Sequence, residues 1–178
     1  MVYRIEIGLK SGVPDARGRS VVERAERALG LSIALCRTRD VYKVAATISD
    51  EDADRVMEVF TDNVVAESAR GRLAMTDAFT WCLEISYKAG VTDNVGRTAR
   101  GSLQDLLERE LTWEEHVYTS IQYFVTGELG REQMERLGYD LLANGSNAAI
   151  TVASSGTGDI TLDAGGDIIL DADNADIK

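Results

Sequence analysis

One stretch of this chain is written twice. Ile5-Glu6-Ile7-Gly8-Leu9-Lys10-Ser11-Gly12-Val13-Pro14-Asp15-Ala16-Arg17-Gly18-Arg19 returns as Leu83-Glu84-Ile85-Ser86-Tyr87-Lys88-Ala89-Gly90-Val91-Thr92-Asp93-Asn94-Val95-Gly96-Arg97, a shift of 78 residues between Ile5 and Leu83. That period is too long for a solenoid unit and suits a small α+β module repeated in tandem. The chain has 178 residues, room for two such modules fused end to end. Packed together they would hide roughly 70% of their unfolded-chain surface, against roughly 60% for one alone, so a pseudo-dimer is the stable arrangement.

Val2 to Lys10 alternates as a strand does, with Tyr3, Ile5, Ile7 and Leu9 on one face and Arg4, Glu6 and Lys10 on the other. This predicts one buried face and one wet face. Asp15 then caps a helix over Arg19 to Leu29, carried by Val21, Val22, Ala25, Ala28 and Leu29 and stopped by Gly30. A second strand is expected over Val41 to Ile48, and a second helix opens at Ser49-Asp50-Glu51-Asp52. Val64-Val65-Ala66 starts a closing strand. The second copy replays the order with a strand over 80–88, a helix over 96–111, a strand over 117–125 and a helix over 131–142. By the last helix the shift has grown to 81 residues, from Asn63 to Asn144, so about three residues were added in turns near Trp113 and Gly127 to Gly130. The expected boundaries are a first module at 1–66, a linker at 67–79 that can finish the first sheet, and a second module at 80–144.

Gly145 to Lys178 is a different kind of sequence, with no aromatic residue and one basic residue. It carries its own echo, Gly158-Asp159-Ile160-Thr161-Leu162-Asp163-Ala164 against Gly166-Asp167-Ile168-Ile169-Leu170-Asp171-Ala172. Two echoes fall short of the roughly three needed to bury a continuous core, so 145–178 is expected to be a short β-prone acidic tail that adds little to the fold.

The formal charge of −11 and pI near 4.6 argue against a phosphate-tracking surface, and no nucleic acid is expected as a partner. No stretch approaches the roughly 20 apolar residues of a membrane span, and the strand pattern begins at Val2, so neither a membrane nor a targeting leader is expected. Cys36 and Cys82 lack metal-ligand spacing and read as free thiols of a cytoplasmic protein.

The repeated Lys-x-Gly-Val-x-Asp-x-x-Gly-Arg loop is the one constellation that invites a ligand. A helix N-terminus with a glycine in its first turn and a nearby arginine can hold a phosphate. The structural reading gives each residue other work: Gly12 and Gly90 make the turn, Asp15 and Asp93 cap the helices, and Gly18 and Gly96 sit in their first turns. Lys10, Arg19, Lys88 and Arg97 are then candidates for an interaction surface. An aspartate already in the cap repels a phosphate, which favours the structural reading. His116 has no partner that would make it a base, and Asp50 to Asp52 read as a helix N-terminus. Neither a nucleophile with its base, a Walker loop nor zinc spacing stands out, so no catalytic residue, cofactor or metal is expected.

Lys10-x-Gly12-Val13-x-Asp15-x-x-Gly18-Arg19, with the later Phe60-Thr61-Asp62-Asn63-Val64-Val65, resembles the small PurS subunit of phosphoribosylformylglycinamidine synthase. The second copy resembles it through Lys88-Ala89-Gly90-Val91-Thr92-Asp93-Asn94-Val95-Gly96-Arg97-Thr98-Ala99 and Leu141-Leu142-Ala143-Asn144, and together the copies cover about residues 2 to 144. The resemblance implies an α+β fold with antiparallel strands and two helices per unit. It also implies a non-catalytic assembly role in de novo purine biosynthesis, bridging a PurL-like synthetase and a PurQ-like glutaminase, whose own chains hold the active sites of this glutamine-dependent ligase. Past Asn144 the family continues with a short apolar strand, whereas the Gly-Asp-Ile echoes here resemble segments of phage fibres. A structural or virion-associated protein with a PurS-like head, and an ACT-like small-ligand regulatory module, are the alternatives.

Overall fold

In the computed structural model, which describes residues 2–75, 77–143 and 147–154, the chain runs β1 (Val2–Leu9), α1 (Ala16–Leu29), β2 (Leu35–Ala45), α2 (Asp50–Phe60) and β3 (Ala66–Arg70). It continues as β4 (Trp81–Tyr87), α3 (Asn94–Leu107), β5 (His116–Thr126), α4 (Arg131–Arg136) with a π-helical extension Leu137–Leu142, and β6 (Ala148–Ser154). All six strands join one antiparallel sheet in the order β3-β1-β2-β5-β4-β6, so the fold is α+β. The order reads the same from either edge when β1, β2 and β3 are exchanged for β4, β5 and β6. At the centre β2 and β5 pair from Leu35 opposite Thr126 to Ala45 opposite His116, with Asp40 facing Ile121. That central ladder welds the halves into a single sheet.

Local sequence explains the helix ends. Gly30 stops α1 in the left-handed region at φ 66°, where its N–H and that of Leu31 close on Glu26 and Ala25 carbonyls. α3 ends the same way, but there Glu108 takes the left-handed turn at φ 51°. A side chain is strained in that conformation and glycine is not. Glu108→Gly is therefore expected to stabilise the fold by roughly 0.5–1 kcal/mol, read as a rise in thermal midpoint of a few degrees.

The four helices cover one face of the sheet and enclose two cores, each built from both halves. One gathers Tyr3, Ile5 and Ile7 of β1 and Val44 of β2 with Ala53 and Val56 of α2, Ala99 and Leu103 of α3, and Val117 of β5. The other joins Val21 and Ala25 of α1 to Leu83, Val125, Met134, Leu137 and Val152 of the second half. Neither half keeps a core to itself.

Three expectations need correction. Ala148–Ser154, inside the stretch assigned to the tail, is β6: it pairs with β4 from Ala148 opposite Tyr87 to Ser154 opposite Trp81, and buries Ala148 and Val152. Its alternating small and β-branched residues fit an edge position, and they cover the edge of β4 that β5 leaves open. The two Gly-Asp-Ile echoes lie outside the described residues. β2 begins at Leu35 rather than near Val41, because Arg37 and Arg39, which blur the apolar pattern, both have tertiary partners, Arg37 the carbonyl of Val13 in the β1–α1 loop and Arg39 the carboxylate of Glu6 on β1. The third is the wet face of β1: Glu6 is only 2% exposed. The linker does complete the first sheet, through β3, whose last four residues lie beyond the expected boundary at 66.

Candidate functional site

The two repeated loops build two matching corners. Gly12 and Gly90 both turn the chain at φ 83°, and Val13 and Val91 each donate an N–H to the carbonyl of Lys10 or Lys88 at 3.1 Å. Asp15 then does more than cap. Its Oδ1 accepts the Gly18 N–H at 2.7 Å, while Oδ2 accepts the Thr38 N–H at 2.6 Å and the Thr38 hydroxyl at 3.0 Å. Asp93 repeats each bond, to Gly96 at 2.7 Å and to the N–H and hydroxyl of Thr119 at 2.7 and 2.8 Å. One carboxylate thus ties a helix N-terminus to the neighbouring strand, and the orphan N–H that could have held a phosphate is already taken.

The glycine three residues on is required by that closeness. A Cβ at Gly18 would lie 2.0 Å from the carbonyl oxygen of Cys36, and one at Gly96 would lie 2.3 Å from that of Val117. Both obstacles are backbone, so the helix itself must move. Gly18→Ala and Gly96→Ala are each expected to cost about 1–3 kcal/mol or more in chemical denaturation, at least as much as the roughly 0.5–2 kcal/mol typical of a lost cap.

The interaction-surface candidates sit on the rims of these corners. Lys10 donates its Nζ to the Asn63 carbonyl, whereas Arg19, Lys88 and Arg97 are exposed. By position in the chain, Lys10 and Arg19 flank the first corner and Lys88 and Arg97 the second.

The helix-free face carries a charged cluster that sequence reading missed. Arg4 bridges the halves, with Nε on Glu6 at 2.9 Å and Nη2 on Glu84 at 2.7 Å, and Arg39 reaches the other oxygen of Glu6 at 3.2 Å. Arg39 also donates to the carbonyls of Leu73 and Ala74, at 2.6 and 2.7 Å, so the segment after β3 is strapped across this face. Glu6 and Glu84 are equivalent residues of the repeat, and that recurrence was the one signal that could have marked them. Burial pushes the Glu84 carboxyl up, but hydrogen bonds and charge from Arg4, then Ser120 and Lys43, outweigh it and bring it down to about 2 from 4.5. A carboxylate held below its unfolded value stabilises the fold above about pH 4.5, and that contribution fades as the pH falls through about 2. The Glu84 side chain is 18% exposed, and its shift corresponds to about 3 kcal/mol. Glu84→Gln is expected to flatten the acid limb of stability between those pH values, measured as urea midpoints.

A third feature is a cleft of about 520 Å³ between the start of α2 and the end of α3, lined by residues that include Ser49, Asp52, Arg55 and Arg109. Three of its four charged side chains have partners, and exposed Glu108 is the exception among the described residues. Asp52 bonds Ser49 and Arg55, and Arg109 forks onto Glu115 at 2.8 and 2.9 Å. Hydrogen bonds from Arg109, then from the N–H groups of Thr112 and Thr47, hold the Glu115 carboxyl well below the usual range. Half-buried His116 stands 5.6 Å from the Tyr118 ring. No group of three potential metal ligands occurs among the described residues, and none of their helices is long and apolar enough to cross a membrane.

The clasps thus tie helix to strand within each half, and the Arg4–Glu84 ion pair joins the two halves. No family model matches the chain, and no curated protein matches it.

Proposed function

We propose that this chain is a non-catalytic assembly subunit of a phosphoribosylformylglycinamidine synthase, bridging a PurL-like synthetase and a PurQ-like glutaminase in the cytoplasm. The observation that carries the reading is that the loop on which the resemblance rests forms the same clasp twice, Asp15 with Gly18 and Thr38, Asp93 with Gly96 and Thr119. The two corners offer quasi-equivalent surfaces on one rigid sheet, each with an exposed arginine in the first turn of its helix, Arg19 or Arg97. A body with two like contact surfaces is suited to sit between partners.

The test is sedimentation of the purified chain with the synthetase and glutaminase subunits, with and without ATP and glutamine. A complex containing the chain is expected, and the chain alone should hydrolyse neither ATP nor glutamine above a buffer blank. Absence of any complex in every nucleotide state, or glutamine turnover that survives stringent purification, would overturn the reading.

A further inference from the structure

The repeat is broken inside the fold at the loop between α3 and β5. Gly96 stands 78 residues after Gly18, but Thr119 stands 81 after Thr38, so three residues are added between them, where residues 108–115 join α3 to β5. This loop is tightly held. Arg100 donates its Nε to the Glu115 carbonyl at 2.8 Å and an Nη2 to the carbonyls of Leu111 and Thr112, both at 2.9 Å. Arg109 forks onto Glu115, whose carboxylate also accepts N–H groups of Thr112 and, from the first half, Thr47, both at 2.9 Å. Leu111 and Glu115 are buried, yet Trp113 between them is 82% exposed.

A tryptophan on a fixed loop has already lost much of the freedom that binding would remove, and tryptophan is among the residues most enriched at the energetic centres of interfaces. Glu108, Glu110 and Glu114 are exposed in the same loop, and none is in an ion pair among the described residues. We propose that loop 108–115 is a docking element that seats Trp113 in an apolar socket rimmed by lysine and arginine on a partner protein. The proposal rests on the assembly reading and names the partner-binding face. A chain of formal charge −11 makes a second copy a poor match for three more carboxylates.

The experiment titrates the full chain with the synthetase and, separately, with the glutaminase, at two salt concentrations. Trp113→Ala should weaken binding to one of them by about tenfold or more while its far-ultraviolet spectrum and thermal midpoint stay unchanged. The triple variant Glu108→Gln, Glu110→Gln, Glu114→Gln should bind more weakly and with a flatter salt dependence. Trp81→Phe leaves Trp113 as the only tryptophan of the chain's two, and its emission should move to shorter wavelength on complex formation. Equal binding by Trp113→Ala and the unmodified chain overturns the docking inference alone. Failure of the unmodified chain to bind either subunit overturns the assembly reading and the inference with it. Self-association that Trp113→Ala abolishes puts a second copy on the loop and overturns the partner assignment.

Discussion

Ile5→Asp and Leu83→Asp should each unfold the whole chain in one transition. Both side chains are fully buried, at equivalent positions of β1 and β4, and each faces a core drawn from both halves. An unpaired carboxylate at such a site costs several kcal/mol, a large part of a total stability of roughly 5–15 kcal/mol. Ile85→Asp should be milder, because Ile85 is only half-buried at the margin of the second core. The check is urea denaturation followed by far-ultraviolet dichroism and by the fluorescence of Trp81, whose indole N–H is bonded to the Leu129 carbonyl at 2.8 Å. Coincident curves in every variant are expected, and a variant of β1 that spared the Trp81 signal would break the account.

Truncation at two points isolates the contribution of β6. A chain ending at Ser154 should melt close to the full-length protein, whereas one ending at Ala143 loses a strand that pairs with β4 along its length and buries Ala148 and Val152. Ile150, half-buried, also packs on the backbone of the π-helical turn, 3.1 Å from where a Cβ of Gly138 would stand. Full burial of a valine or isoleucine is worth about 1.5–3 kcal/mol, so losing this strand should cost about 3–5 kcal/mol, or roughly 6–20 °C in a domain of this size. The exposed edge of β4 should also promote association. A thermal midpoint within a degree or two for both truncations would show that β6 adds nothing to the core.

Much of this fold was legible because the repeat put each signal down twice. Asp15 and Asp93 announce their helices, Gly30 its stop, and the alternation of Tyr3, Ile5 and Ile7 the buried face of β1. The features that escaped were set by tertiary partners that local patterns do not record. Glu6 read as solvent-facing because nothing near it in sequence shows that residues 71–75 lie across that face. Thr38 and Thr119 escaped for a related reason: their partner aspartates lie 23 and 26 residues earlier, and the three residues added before Thr119 hide the equivalence of the two pairs. β6 was missed because its small residues resemble the acidic Gly-Asp-Ile stretch more than they resemble either module, and an open edge on β4 cannot be seen before the sheet is built. The corners came closest to being read in full, as loop, cap and first-turn glycine, but their use as clasps on β2 and β5 required the fold.

The two sequence halves form one interlocked body, and native-state hydrogen exchange of the unmodified chain across low denaturant concentrations tests this directly. The slowest amides of β1 and β2 and those of β4 and β5 should converge on a single opening free energy, equal to that of global unfolding. Two separate plateaus, with the amides of β4 and β5 still protected after those of β1 and β2 have exchanged, would contradict it.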